Sequence, residues 1–113
     1  GPQVFNPTNV DIAIQSGMIT SIEPGLYKEG HYGIRIENLV LAKEYKSSLY
    51  GDFMKFETLT ICYIATDLIE TSLLEKAQID WLNDYNEWVY SKLSNHLSSQ
   101  EKIWLRSKTL PIT

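Results

Sequence analysis

A single cysteine, Cys62, among 113 residues rules out an internal disulfide. No apolar run approaches the roughly 20 residues that a membrane-spanning helix needs. No signal peptide opens the chain. Cationic residues are too few for a nucleic-acid partner: 10 Lys and Arg stand against 14 Asp and Glu, a net charge of -4. Internal repeats, low-complexity tracts and flexible linkers are missing too. On these absences the chain is expected to be a cytoplasmic piece with neither a membrane nor a nucleic-acid partner. Histidine is scarce. His31 lies in a loop and His96 near the end of an expected helix, and a lone loop histidine is more often a surface residue than a ligand. Cys62 stands in the apolar run Leu59-Thr60-Ile61-Cys62-Tyr63-Ile64 and reads as a buried small side chain, not a nucleophile.

What is present concentrates in two short segments, Ser21-Ile22-Glu23-Pro24-Gly25 and Gly33-Ile34-Arg35-Ile36-Glu37-Asn38. Each places a carboxylate in an apolar, β-favouring run, where burial is costly unless a cation or hydrogen-bond donors compensate it. Side chains alternate along a strand, so Ile34 and Ile36 share one face and Arg35 and Glu37 the other. Two extended segments that aim Glu23 and Glu37 at one cavity suit a divalent-cation site with oxygen ligands. On spacing alone, an ion pair with Arg35 is the commoner reading.

The hydrophobic period divides the chain into a β-rich part, residues 1–65, and a helical part, residues 66–113. Strands are expected over Met18 to Glu23, Gly33 to Glu44 and Phe53 to Tyr63, with Pro24-Gly25 turning the first out of its sheet. The polar stretch Tyr45 to Asp52 suits a hairpin loop that makes the last two strands antiparallel. A short turn is expected within Asp67 to Leu74. A long helix follows from about Lys76 to His96, with Ile79, Leu82, Tyr85, Val89, Leu93 and Leu97 at helical spacing. Ser98-Ser99-Gln100-Glu101 reads as a capping box that opens a second helix before Pro111. Trp81, Tyr85, Trp88 and Trp104 read as core and interface anchors rather than a ligand cage.

Nearly the whole chain resembles the C-terminal part of a Xaa-Pro aminopeptidase (aminopeptidase P), a metallopeptidase of the pita-bread fold. The resemblance rests on Gly17-Met18-Ile19-Thr20-Ser21-Ile22-Glu23-Pro24-Gly25 and Tyr32-Gly33-Ile34-Arg35-Ile36-Glu37-Asn38-Leu39-Val40. It continues in Phe56-Glu57-Thr58-Leu59-Thr60, Ile79-Asp80-Trp81-Leu82-Asn83-Asp84-Tyr85, Trp104-Leu105 and Thr109-Leu110-Pro111-Ile112. It implies an α+β arrangement forming the C-terminal half of a pita-bread fold: antiparallel strands, then a long helix and a short C-terminal one. Prolidase or creatinase relatives share the catalytic core, but the Trp-Leu-Asn-x-Tyr tail favours the aminopeptidase. A non-catalytic homologue that binds a protein or peptide is the alternative of a different class. Intact Glu23 and Glu37 speak against it.

The resemblance implies roles residue by residue. Glu23 is a terminal ligand of one of two metal ions and shuttles a proton, while Glu37 bridges both ions. Arg35 supports the site by orienting its neighbours. The implied cofactors are two divalent ions, Mn²⁺ or else Co²⁺ or Zn²⁺, that activate a water for attack on the first peptide bond. The implied substrate is a peptide with proline in second position, and the implied assembly is a homodimer. The family's two aspartates and metal-binding histidine have no counterpart in this chain, so the chain alone is expected to be inactive and to bind no metal. Gly1-Pro2 reads either as the end of a family His-Glu-Gly-Pro segment or as the scar of a removed tag. Glu57 matches a family glutamate and is read as structural. Asn86, Tyr63 and Glu75 stand where relatives often have His, Pro and a capping Thr, and Glu75 is the poorer cap. Apolar sheet surface and strand edges are expected to drive self-association.

Overall fold

The computed structural model describes residues 13–113; Gly1-Pro2, for which two readings were open, lie outside them. The chain divides into two compact units, one ending at Thr60 and the other spanning Ile61–Thr113.

In the first unit the strands are β1 (Ile19–Ile22), β2 (Gly25–Lys28), β3 (Tyr32–Arg35), β4 (Asn38–Ser48) and β5 (Gly51–Thr58). A three-stranded antiparallel sheet runs in the order β1-β4-β5, and β2 and β3 pair separately. The expected single strand from Gly33 to Glu44 is therefore two strands. Yet the register is continuous across the break, because Ile22 pairs with Asn38 and Gly25 with Arg35. One further step from Ile22–Asn38 sets Glu23 opposite Glu37. Two carboxylates directly opposed destabilise a ladder, and Pro24 has no N–H to donate. The Ile36 N–H spans the gap, donating to the Pro24 carbonyl at 3.3 Å. The ladder fails where the two glutamates meet.

The unexpected strand β2 exists because the chain leaving Pro24 re-enters the same register. Gly30, at φ 71, turns it back, and the His31 N–H closes the turn on the Lys28 carbonyl. The β4–β5 hairpin is tighter than the expected loop over Tyr45 to Asp52: only Leu49 and Tyr50 separate the strands, and Gly51 takes φ 123. The polar residues extend as strand around a register shift between Glu44 and Lys46. At that shift Lys46 and Lys55 both lie over the Tyr45 ring. β5 ends at Thr58 instead of Tyr63, because Leu39 turns its N–H to the Thr60 hydroxyl at 2.8 Å. Val40 and Ala42 of the middle strand are the buried apolar residues among those described in this unit.

The second unit holds α1 (Lys76–Leu93) and α2 (Ser99–Lys108), with 3-10 turns at Thr71–Leu73 and Ser94–His96. α1 thus tightens into a 3-10 turn over the last residues expected to be α-helical. Leu82, Tyr85, Val89 and Leu105 are buried. The Ser98 box forms as read: the Ser98 N–H donates to Glu101 Oε2 at 2.8 Å, and the Glu101 N–H donates to the Ser98 hydroxyl at 3.4 Å. Glu75, the poorer cap by type, is helped by Gln78, whose Oε1 accepts the Glu75 N–H at 2.9 Å.

Two asparagines of α1 bind extended backbone as a neighbouring strand would. Asn86, 1% exposed, accepts from the Ile64 N–H at 2.9 Å and donates to its carbonyl at 3.0 Å. Asn83 does the same to Ile112, at 2.8 and 2.9 Å. Tyr85 donates its hydroxyl to the Cys62 carbonyl at 2.8 Å. That contact uses the Cys62 backbone and leaves its side chain exposed, contrary to the buried reading. The aromatic anchors also split. Tyr85 is buried and stacks on Trp81 at 5.4 Å, whereas Trp81 and Trp104 each keep about half of their surface in solvent.

Candidate metal centre

The ribbon formed by β1–β2 and β3–β4 has two unlike faces, because directly opposed residues share a face. One face carries Ile22, Leu26, Ile34 and Ile36. The other carries Ser21, Glu23 and Tyr27 from one strand and Arg35 and Glu37 from its partner. The alternation read for Ile34–Glu37 therefore survives the break in the ladder. Arg35 Nη1 lies 3.4 Å from Glu23 Oε1 and 3.9 Å from Glu37 Oε2. The expectation of buried carboxylates is corrected. The side chains of Glu23, Arg35 and Glu37 are each between 43% and 44% exposed, so water and one guanidinium meet their solvation needs.

The pKa of Glu23 lies below the usual carboxylate value. The Ser21 hydroxyl contributes most through its hydrogen bond, then the Glu37 carboxyl, then the charge of Arg35. Arg35 is shifted upward, first by its hydrogen bond to Tyr27 and then by the nearby carboxylates. Its Nε donates to the Tyr27 hydroxyl oxygen at 2.7 Å, with the guanidinium carbon 5.7 Å from the ring centre.

The donor set fits a hard divalent cation in kind: two solvent-accessible carboxyl groups on one face with a cation between them. It does not fill a coordination shell. Among the described residues no three His, Cys, Asp or Glu side chains gather. His31 sits in the turn at the far end of the β2–β3 hairpin from Arg35 and Glu37. Glu57 has a different job, accepting from Lys43 at 2.6 Å across β4–β5.

A protein-family model described as the C-terminal region of peptidase_M24 matches residues 52–112, and one for metallopeptidase family M24 matches residues 1–44. This chain belongs to the M24 peptidase family. The M24 chain is 44% identical over 105 residues to a probable Xaa-Pro aminopeptidase P of Coprinopsis cinerea, covering 88% of this chain and 17% of the relative. A probable Xaa-Pro aminopeptidase P of Aspergillus fumigatus is 38% identical over 108 residues, covering 91% and 16%. Among solved structures, an X-prolyl aminopeptidase from Caenorhabditis elegans, described as a cytosolic enzyme with a di-nuclear active site, superposes with a TM-score of 0.77. The two are 33% identical, over 88% of this chain and 17% of that one. The chain thus spans about a sixth of the length of these relatives. The α+β reading holds, as the C-terminal portion of a pita-bread fold with antiparallel strands ahead of a long and a short helix.

Reading from sequence missed Tyr27 and Ser21. The signal for Tyr27 was present: an aromatic two residues after one glycine, with a second glycine two residues before Arg35, as a hairpin register would oppose them. Ser21 needed only the alternation that puts it on the Glu23 face.

Proposed function

We propose that the chain is the C-terminal catalytic segment of a metal-dependent Xaa-Pro aminopeptidase, which releases the first residue from peptides with proline second. The observation that carries this reading is the opposition of Glu23 and Glu37 at the break in the ribbon, with Arg35 between them. A ladder interrupted by two facing carboxylates breaks a local rule of sheet stability, and such conflicts mark functional sites.

Glu37 and Glu23 would together hold a pair of divalent ions. Such a pair, when bound, supplies an activated water and polarises the scissile carbonyl. Glu23, held below the usual carboxylate value by Ser21, Glu37 and Arg35, would be the base that takes up a proton and returns it to the leaving amine. Arg35 fixes both carboxylates and is itself fixed by Tyr27. Two carboxylates leave most coordination positions unfilled, so the chain alone is inactive. Mn²⁺ is the metal we favour, with a cytosolic setting and a homodimer as the working state.

The test is a chimera in which this chain replaces the matching segment of the Coprinopsis cinerea relative. Mn²⁺-dependent release of the first residue from a Xaa-Pro-Xaa peptide is expected, with loss in the Glu37→Ala chimera and none from the chain alone. A chimera that folds, binds Mn²⁺ and leaves the peptide intact would refute the proposal.

A further inference from the structure

Glycine is usually explained by backbone freedom, yet Gly25 and Gly33 do not need it. Among the described glycines only Gly17, Gly30 and Gly51 take positive φ. Gly25 and Gly33 lie in β2 and β3, where alanine is the better strand residue. What forbids a side chain there is Tyr27. A Cβ on Gly33 would lie 2.6 Å from Tyr27 Cδ1 and 3.0 Å from Cε1, and one on Gly25 2.8 Å from Cε2 and 2.9 Å from the hydroxyl oxygen. Gly33 pairs with Tyr27, and Gly25 with Arg35. The ring therefore lies across the ribbon, from above Gly33 at its root to above Gly25 at its tip. There its hydroxyl accepts from Arg35 Nε at 2.7 Å.

We propose that Gly25 and Gly33 are positioning residues: together they form a trough that seats the Tyr27 ring and so aims Arg35 between Glu23 and Glu37. The proposal deepens the catalytic reading and rests on it for its purpose, but not for its geometry. Gly33 matters more of the two. Its clash falls at the root of the ring, where only a change of the Tyr27 rotamer relieves it, and that change carries the hydroxyl away from Arg35. The clash at Gly25 falls at the ring's tip, which can shift a little.

The experiment is NMR on the 113-residue chain. The intact chain should show an Arg35 Nε–H cross-peak with an Overhauser contact to the Tyr27 ring. Gly33→Ala should abolish that contact and speed Nε–H exchange about tenfold, as expected for one lost hydrogen bond. Retention of the contact in Gly33→Ala overturns the proposal. Should Gly33→Ala also disturb the sheet, a double-mutant cycle decides. The alanine at position 33 should cost nothing once Tyr27→Ala has removed the ring, and an equal cost in both backgrounds overturns the proposal. In the chimera, Gly33→Ala should lower kcat about tenfold with KM nearly unchanged, the mark of an interaction used in the transition state. An inactive parent chimera would strike at the proposed function and leave the NMR result standing.

Discussion

The two units solve the problem of extended backbone in opposite ways. In the helical unit, segments that belong to no sheet are held by side chains of α1: Asn86 grips Ile64, Asn83 grips Ile112, and Tyr85 holds the Cys62 carbonyl. Val89 and Leu105 are 0% and 2% exposed. In the strand unit the strands pair, but beyond Val40 and Ala42 most of the described apolar side chains are left uncovered. Leu26 and Ile34 are 63% and 50% exposed, and Leu49 and Tyr50 at the β4–β5 tip lie in water. The unit that bears the candidate chemistry is thus the one that leaves more apolar surface uncovered. Stability is not uniform across a structure, and the difference in burial between the units is open to direct test.

Four experiments test that contrast. The largest effect is expected from Leu105→Ala, at about 3 kcal/mol, because a buried leucine is lost and a cavity left. Denaturant unfolding followed by the helical signal measures it, and a loss below about 1 kcal/mol would mean the site collapses freely. Asn86→Ala comes next at about 2 kcal/mol, since it leaves the Ile64 N–H and carbonyl without partners. Should water replace the amide at no cost, the clamp is ornamental.

Leu26→Thr is expected to cost under about 1 kcal/mol, because the side chain is already largely in water. The same substitution should weaken self-association driven by uncovered sheet surface. Sedimentation velocity decides: the chain should sediment above its monomer mass and the variant nearer to it. A strictly monomeric parent at high concentration sinks the idea.

The smallest effect is electrostatic. Glu87 is held below its ordinary value, first by its hydrogen bonds with Arg106 at 2.5 and 3.3 Å, against an opposing cost of burial. A lowered carboxylate pKa stabilises the folded state above the unfolded value of about 4.3 and loses that contribution as pH falls through the lowered one. The helical unit's melting temperature should therefore be flat from neutral pH to about 5 and decline below about 4, less steeply in Glu87→Gln. The pair is solvent-exposed, so the difference should stay within about 1 kcal/mol.

Much of this architecture is legible in one dimension. The helical spacing of Leu82, Tyr85 and Val89, the capping box at Ser98 and the antiparallel pairing of the last two strands all follow from local rules. The placement of Arg35 and Glu37 on one face follows from strand alternation. The readings that failed involve one backbone segment choosing its partner. Whether Gly33 to Glu44 is one strand or two depends on what sits opposite Glu37. Whether Cys62 is buried depends on which of its atoms Tyr85 reaches. The reach of β4 to Ser48 depends on a register shift that no periodicity announces.

By itself the sequence determined the family, the order of strands before helices, and the identity of Glu23, Glu37 and Arg35 as the residues to watch. These are properties of residue type and spacing, which local physics converts directly into faces and caps. It takes strand pairing to set the two glutamates opposite each other at a failed rung, to bring Tyr27 to Arg35, and to put two glycines under its ring. Those facts depend on cross-strand register. A register joins residues far apart in the chain, and no single stretch of sequence contains both sides of it.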